Sequence, residues 1–112
     1  MKAPWQPPMV EIRLVDVLEA LADPIRLTMV ARLSSAGSEK CTDINADTHV
    51  HKSTMSHHYR VLREAGVTWT VVQGRERWIS LRRADLDALF PGLLDSILGA
   101  ATLQVQAPTR RD

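Results

Sequence analysis

The chain changes its periodicity at Gly66. Before that glycine, apolar residues recur at helical intervals of three and four. After it comes VTWTVVQGRERWISL (residues 67–81), rich in β-branched and aromatic side chains around a central Gly74. Helix side chains return to one face about every 3.6 residues and strand side chains about every 2, so one pattern does not serve for the other. The segment therefore predicts a β-hairpin placed after a set of helices. With Gly74-Arg75 as a two-residue turn, Gln73 pairs with Glu76, Val71 with Trp78, and Trp69 with Ser80. Trp69, Val71 and Trp78 then share one face, while Thr70, Ile79 and Leu81 share the other, the natural core side. Both tryptophans are expected outside, where diagonal aromatic contacts stiffen a hairpin.

Upstream, residues 1–8 (MKAPWQPP) predict an irregular arm, with no apolar core of a secretion signal. Residues 9–22 predict a helix. Leu14, Leu18 and Leu21 make one stripe, and Val10, Ile12 and Val17 widen it beyond one face. A helix apolar on more than one side is buried on more than one side, here against a second subunit. Asp23 is an N-cap and Pro24 a first-turn residue of the next helix, carried by Ile25, Leu27, Met29, Val30 and Leu33 to about Ser35. SSAGSEK (34–40) reads as a loop. Thr42 caps a short helix over residues 43–47 with Ile44 as its buried contact. His49-Val50-His51 turns the chain into a longer helix over residues 52–65, stopped by Gly66.

After the hairpin, a short helix begins near Arg83 or Ala84 and is interrupted by Pro91-Gly92. A last helix presents Leu93, Leu94, Ile97 and Leu98 on one face. The expected divisions are an arm (1–8), one domain (9–99) and a flexible tail (100–112). The class is mainly α with a β-hairpin wing, and two helices joined by a tight turn before a hairpin describe a winged helix-turn-helix.

Charge adds a direction. From Lys52 to Arg83, seven basic residues stand against two acidic ones, a local +5 in a chain whose net charge is only +1, so the remainder is −4. A basic stripe in an otherwise acidic domain is the footprint of a phosphate-binding face. One cysteine excludes an internal disulfide and suits the cytoplasm. No apolar run approaches the ~20 residues of a membrane span. No nucleophile–base pair or phosphate loop is present, so an enzyme is not expected.

All four histidines fall within residues 49–58. Met55, His58, Tyr59 and Leu62 share the inward stripe of the longer helix, which makes His58 a packed core histidine. The opposite face carries Ser53, His57, Arg60 and Glu64, with Thr54 and Ser56 beside them. Short polar groups at the start of a recognition helix suit base edges in the major groove, and arginines suit phosphate or guanine. The candidate DNA-binding set is Lys52, Ser53, Thr54, Ser56, His57, Arg60 and Arg63, joined by Arg75 and Arg77 at the wing tip. His49 suits a positive-φ turn position, and His51 is a poor N-cap. Together with Cys41 they are also chemically able to hold zinc, which stands as an alternative.

The stretches VLEALADPIRLTMVARL (17–33), CTDINADTHVHKSTMSHHYRVLREAGV (41–67) and GRERWISLR (74–82) resemble the ArsR/SmtB family of small bacterial repressors. The resemblance runs over residues 10–98. Its most specific motifs are Leu21-Ala22-Asp23-Pro24-Ile25-Arg26-Leu27 and the run from Ser56 through Gly66. It implies a homodimer that binds a palindromic operator and releases it on sensing a signal. The outer helices would supply the dimer core through Val10, Ile12, Val17, Leu89, Phe90, Leu93, Leu94, Ile97 and Leu98.

The family's metal sites do not carry over. On the third helix Thr42 stands where a cysteine would precede Asp43, and Cys41 takes a position usually apolar. The final helices hold Asp85, Asp87 and Asp95 but no histidine. No metal and no cofactor is expected, and the inducer would be a small molecule of unknown kind. Two alternatives stand beside this reading: a protein-contact module using the Trp69/Trp78 face, and a zinc-responsive regulator through His49, His51 and Cys41.

Overall fold

Six helices and three short strands follow one another in the computed structural model, which describes residues 4–106. Helices α1 (Leu14–Leu21), α2 (Pro24–Ala36), α3 (Cys41–Ala46) and α4 (Lys52–Glu64) precede the hairpin β2 (Thr68–Gln73) and β3 (Glu76–Leu81). Helices α5 (Arg83–Leu89) and α6 (Leu93–Gln106) close the chain, and β1 (Ser38–Lys40) sits between α2 and α3. The core gathers Val30, Leu33, Ile44, Met55, Leu62, Val67 and Ile79 where the helices meet the sheet. This is a winged helix-turn-helix.

The hairpin keeps the expected register: Gln73 opposes Glu76, Val71 opposes Trp78, and Trp69 opposes Ser80. Thr70 and Ile79 are buried, while Trp69 and Val71 are exposed. A third strand, however, lies where residues 34–40 predict a loop. Ser38, Glu39 and Lys40 pair antiparallel with Ser80, Ile79 and Trp78, giving the sheet order β1-β3-β2. Nothing in Ser-Glu-Lys favours a strand locally. Distant partners specify it: Arg32 grips Glu39 with two bonds of 2.7 Å, and Lys40 meets Glu76 at 3.2 Å.

The predicted helix over residues 9–22 is broken. Met9–Glu11 form a single 3-10 turn, Ile12 and Arg13 are extended, and α1 starts only at Leu14. The break resets the helical phase. Val17, Ala20 and Leu21 now face inward, whereas Leu14, Val15 and Leu18 are exposed. Ile12 lands on Gly66, where a Cβ would meet its Cγ1 at 2.5 Å. The expected division is thus reversed at four positions. Val17, 1 % exposed, and Ile12 belong to the protomer's own core, not to a second subunit, while Leu14 and Leu18 face out.

Leu94 is likewise buried within the protomer, and Leu89, Phe90, Ile97 and Leu98 are half-buried against the same core. Helix α6 continues past residue 100 to Gln106, into the segment expected as a tail, and residues 107–112 lie outside the described part. Among the described residues no single helix is long and apolar enough to cross a membrane.

Candidate nucleic-acid interface

Helix α4 is held from behind by polar contacts that fix its axis. His58 is buried on its inner face, with Nδ1 3.1 Å from Arg26 Nη1 and 4.0 Å from Asp23 Oδ2. Asp23 also caps α2, accepting from the Ile25 and Arg26 amides at 2.9 and 3.0 Å, and the Arg26 amide is the main reason its carboxyl stays below its ordinary pKa. Arg26 Nε donates to Ala20 O at 2.7 Å, tying in the end of α1. The Tyr59 hydroxyl donates to Asn45 Oδ1 at 2.5 Å and lies 3.2 Å from Cys41 O, which locks α3 against α4. Burial pushes the Tyr59 phenol well above its ordinary pKa, so it remains a donor. Arg32 spans Glu39 and Asp47, bracing α3's end from α2.

The turn between α3 and α4 departs from expectation. Among the described residues no non-glycine has a positive φ, so His49 is not there to fill such a position. Thr48 Oγ1 instead accepts from the Val50 amide at 3.2 Å. His51 is the N-cap of α4 and does cap it: Nδ1 accepts from the Ser53 amide at 3.3 Å and lies 2.9 Å from Ser53 Oγ. That contact fixes the ring at the very end of the helix. Lys52, Ser53, Thr54, Ser56, His57 and Arg60 follow on the exposed side, with Arg60 Nη2 3.3 Å from His57 Nδ1.

The basic stripe sorts into two classes. Arg82 is buried and paired with Asp85 at 2.9 Å, and Arg83 is paired with Asp95 at 2.7 Å and Asp87 at 3.6 Å. Arg63, expected among the phosphate-reaching arginines, is also buried. It falls four residues after Tyr59, on the inner flank of α4, and its Nε donates to Trp5 O at 3.1 Å. Burial lowers its pKa, as a covered guanidinium requires. Its charge was legible in the sequence; its helical phase decides where it points. Among the described residues, Lys52, Arg60, Arg75 and Arg77 are exposed and make no salt bridge.

Those four cations frame one surface. Gly74, at φ +63, turns the hairpin so that Arg75 and Arg77 stand at the wing tip. Glu76 between them is engaged by Lys40. A recess of about 460 Å³ separates the wing from α3 and α4, with Lys52 and Ser56 on one wall and Arg75 and Arg77 on the other. A cationic cleft beside a helix of short polar side chains fits a phosphate backbone with base edges behind it.

The alternative chemistries fare differently. Among the described residues no three His, Cys, Asp or Glu side chains come together as a metal site, so His49, His51 and Cys41 do not form a ligand set. Cys41 is half-buried, and burial pushes its thiol pKa up, away from the reactive thiolate. The outer-face tryptophans have internal partners: the Trp69 ring covers Arg82 at 3.6 Å, and Lys40 Nζ lies 5.6 Å from the Trp78 ring centre. Two structural roles were not legible in the sequence: Gln6, whose side-chain amide pairs with the Thr70 backbone, and Arg82, buried against Asp85. Gln6 has no local signal, and Arg82 looked like one more unit of basic charge.

Comparison with known proteins agrees with this geometry. Residues 23–67 match the model of the bacterial regulatory protein family arsR, a span that covers α2, the turn and α4. The uncharacterized HTH-type transcriptional regulator YceK of Bacillus subtilis is 33% identical over 83 residues, covering 73% of this chain and 83% of YceK. The crystal structure of a possible transcriptional regulator for arsenical resistance superposes with a TM-score of 0.61 at 31% identity, over 84% of this chain and 98% of that one. The repressor BigR from Xylella fastidiosa shares the fold, with a TM-score of 0.62 at 21% identity over 86% and 88% of the two chains. By both sequence and fold, the chain belongs to the arsR family of bacterial regulatory proteins.

Proposed function

We propose that the protein is a sequence-specific transcriptional repressor that binds a palindromic operator as a homodimer in the cytoplasm. The observation that carries this reading is the sorting of the basic stripe over residues 52–83: Arg82 and Arg83 are paired with acids and Arg63 is buried, whereas Lys52, Arg60, Arg75 and Arg77 are exposed and make no salt bridge among the described residues. In this reading the start of α4 enters the major groove, with Ser53, Thr54, Ser56 and His57 against base edges. Arg60, Lys52 and the wing arginines hold phosphate.

Homodimerisation is supported by an apolar surface that the protomer leaves open: Val10 is 88 % exposed, and Leu14, Val15 and Leu18 stand beside it on α1. Palindromy follows from two-fold symmetry, because two α4 helices related by a dyad read inverted half-sites. Release would come from a small-molecule effector and not from a metal, since Thr42 replaces a cysteine of the family's metal site on α3 and α5 and α6 hold no histidine.

The test is binding to a fragment of the protein's own promoter, footprinted and titrated with salt. Four phosphate-binding cations per protomer predict a log–log salt slope of about −7 for the dimer. Arg60→Ala is expected to weaken binding roughly tenfold and to flatten that slope by about 2. A flat salt response, or equal affinity for random DNA, would overturn the proposal.

A further inference from the structure

Residues 4–8 precede every regular element, yet contacts with three separate elements or loops hold them down. Gln6 faces the backbone of Thr70: Nε2 donates to Thr70 O at 3.0 Å, and Oε1 accepts from Thr70 N at 2.6 Å. Strand β2 is an edge of the sheet, so these outward groups have no strand neighbour. The glutamine amide closes on them as a peptide group of another strand would. Arg63, near the end of α4, donates from Nε to Trp5 O at 3.1 Å. Arg82, just past β3, donates from Nη1 to Pro7 O at 2.7 Å.

Arg82 is 2 % exposed, and its remaining nitrogens hold Asp85 Oδ2 at 3.1 and 2.9 Å beneath the Trp69 ring. A buried guanidinium stripped of one partner is destabilised strongly, so the Pro7 contact is firmly held. Trp5 and Gln6 are neighbours in the chain, with Cα atoms about 3.8 Å apart. One is fastened to α4 and the other to the wing. The end of α4 and strand β2 therefore cannot shift independently while the arm is in place. On its other side the arm runs directly into Met9 and Val10, at the open apolar surface.

We propose that residues 5–7 are a strap that sets the angle of the wing against α4, and that Gln6 is its positioning residue, contributing to DNA affinity without touching DNA. This inference rests on the DNA-binding reading above. The wing arginines reach phosphate only if the wing stands at the right distance from a helix already seated in the groove, and the strap joins the two elements, at Thr70 on β2 and at Arg63 near the end of α4.

The experiment is a double-mutant cycle on the full chain, with binding to the promoter fragment measured per active protein. Gln6→Ala is expected to weaken binding about fivefold, the fold-change that corresponds to one typical net hydrogen bond, and to reduce the salt slope. In an Arg75→Ala/Arg77→Ala background, the same substitution is expected to change nothing further, because its effect runs through the wing. Unchanged affinity of Gln6→Ala would overturn the strap, as would an equal loss in both backgrounds. Because affinities are taken per active protein, a variant that is merely less stable reads as unchanged and counts against the proposal. A wild-type chain with no salt-dependent preference for its promoter would instead sink the DNA-binding reading, and the strap with it.

Discussion

His58 shows how one side chain can be settled by what it touches. Its Nδ1 lies 3.1 Å from a guanidinium nitrogen of Arg26, a group that only donates, so Nδ1 accepts and the ring proton sits on Nε2. Burial is the main reason its pKa lies below the ordinary 6.5; Arg26 and His57 push the same way, and Asp23 pulls it back up. The unfolded chain therefore takes up this proton at a higher pH than the native one. Stability attributable to His58 is intact above about pH 6.5 and declines as the pH falls from there through the lowered native value. His58→Gln retains an acceptor for Arg26 but does not titrate. Urea unfolding at a series of pH values is expected to give a shallower acid decline for the variant than for the wild type; parallel curves would remove His58 from the account. The sequence showed this histidine to be inward by its spacing from Met55 and Leu62. It did not show Arg26, which comes from another helix.

At the scale of elements, the stop after α4 is the sharpest constraint. Gly66 has φ +86, and a Cβ there would meet Ile12 Cγ1 at 2.5 Å and Cδ1 at 2.7 Å. Gly37, by contrast, has a positive φ but open space around it. Gly66→Ala therefore combines left-handed backbone strain with overpacking, a cost on the order of 2–4 kcal/mol. A thermal melt by circular dichroism is expected to fall by roughly 10 °C or more, and a shift of a degree or two would show that Ile12 yields freely. The helical stop itself was legible, since glycine after an apolar-periodic run is a C-terminal signal. The steric reason was not, because Ile12 lies far back in the chain. The same division holds elsewhere. The β2–β3 register followed from Gly74 and alternation alone, whereas β1 needed Glu39 to meet Arg32 and Lys40 to meet Glu76, partners that local propensity does not contain.

For the whole molecule, an elongated shape and an open apolar face support the proposed homodimer. The radius of gyration is 14.2 Å, against about 13 Å for a compact chain of this length, and the extents are 49 × 32 × 21 Å. Leu18, 42 % exposed, and Val15 stand on the open side of α1, one helical step from the buried Val17. Leu18→Glu is expected to convert the proposed dimer to a monomer in sedimentation while leaving the fold intact, because it places a charge in the proposed apolar interface without touching the core. Sedimentation indistinguishable from the wild type would place the interface elsewhere. The sequence by itself determined what is local: the apolar stripes of α2 and α4, the Asp23-Pro24 start, the hairpin and its register, and the polar face of α4. It did so because side-chain periodicity and turn chemistry are set by neighbouring residues. Only the tertiary structure decided which apolar side of α1 faces inward, which arginines are spent on Asp85, Asp95 and the arm, and that residues 5–7 fasten the wing to α4. The Arg82–Asp85 pair is local, but its burial under Trp69 and the arm is not: the arm contacts join residues 58 to 75 positions apart, and no local pattern encodes a contact between residues that far apart.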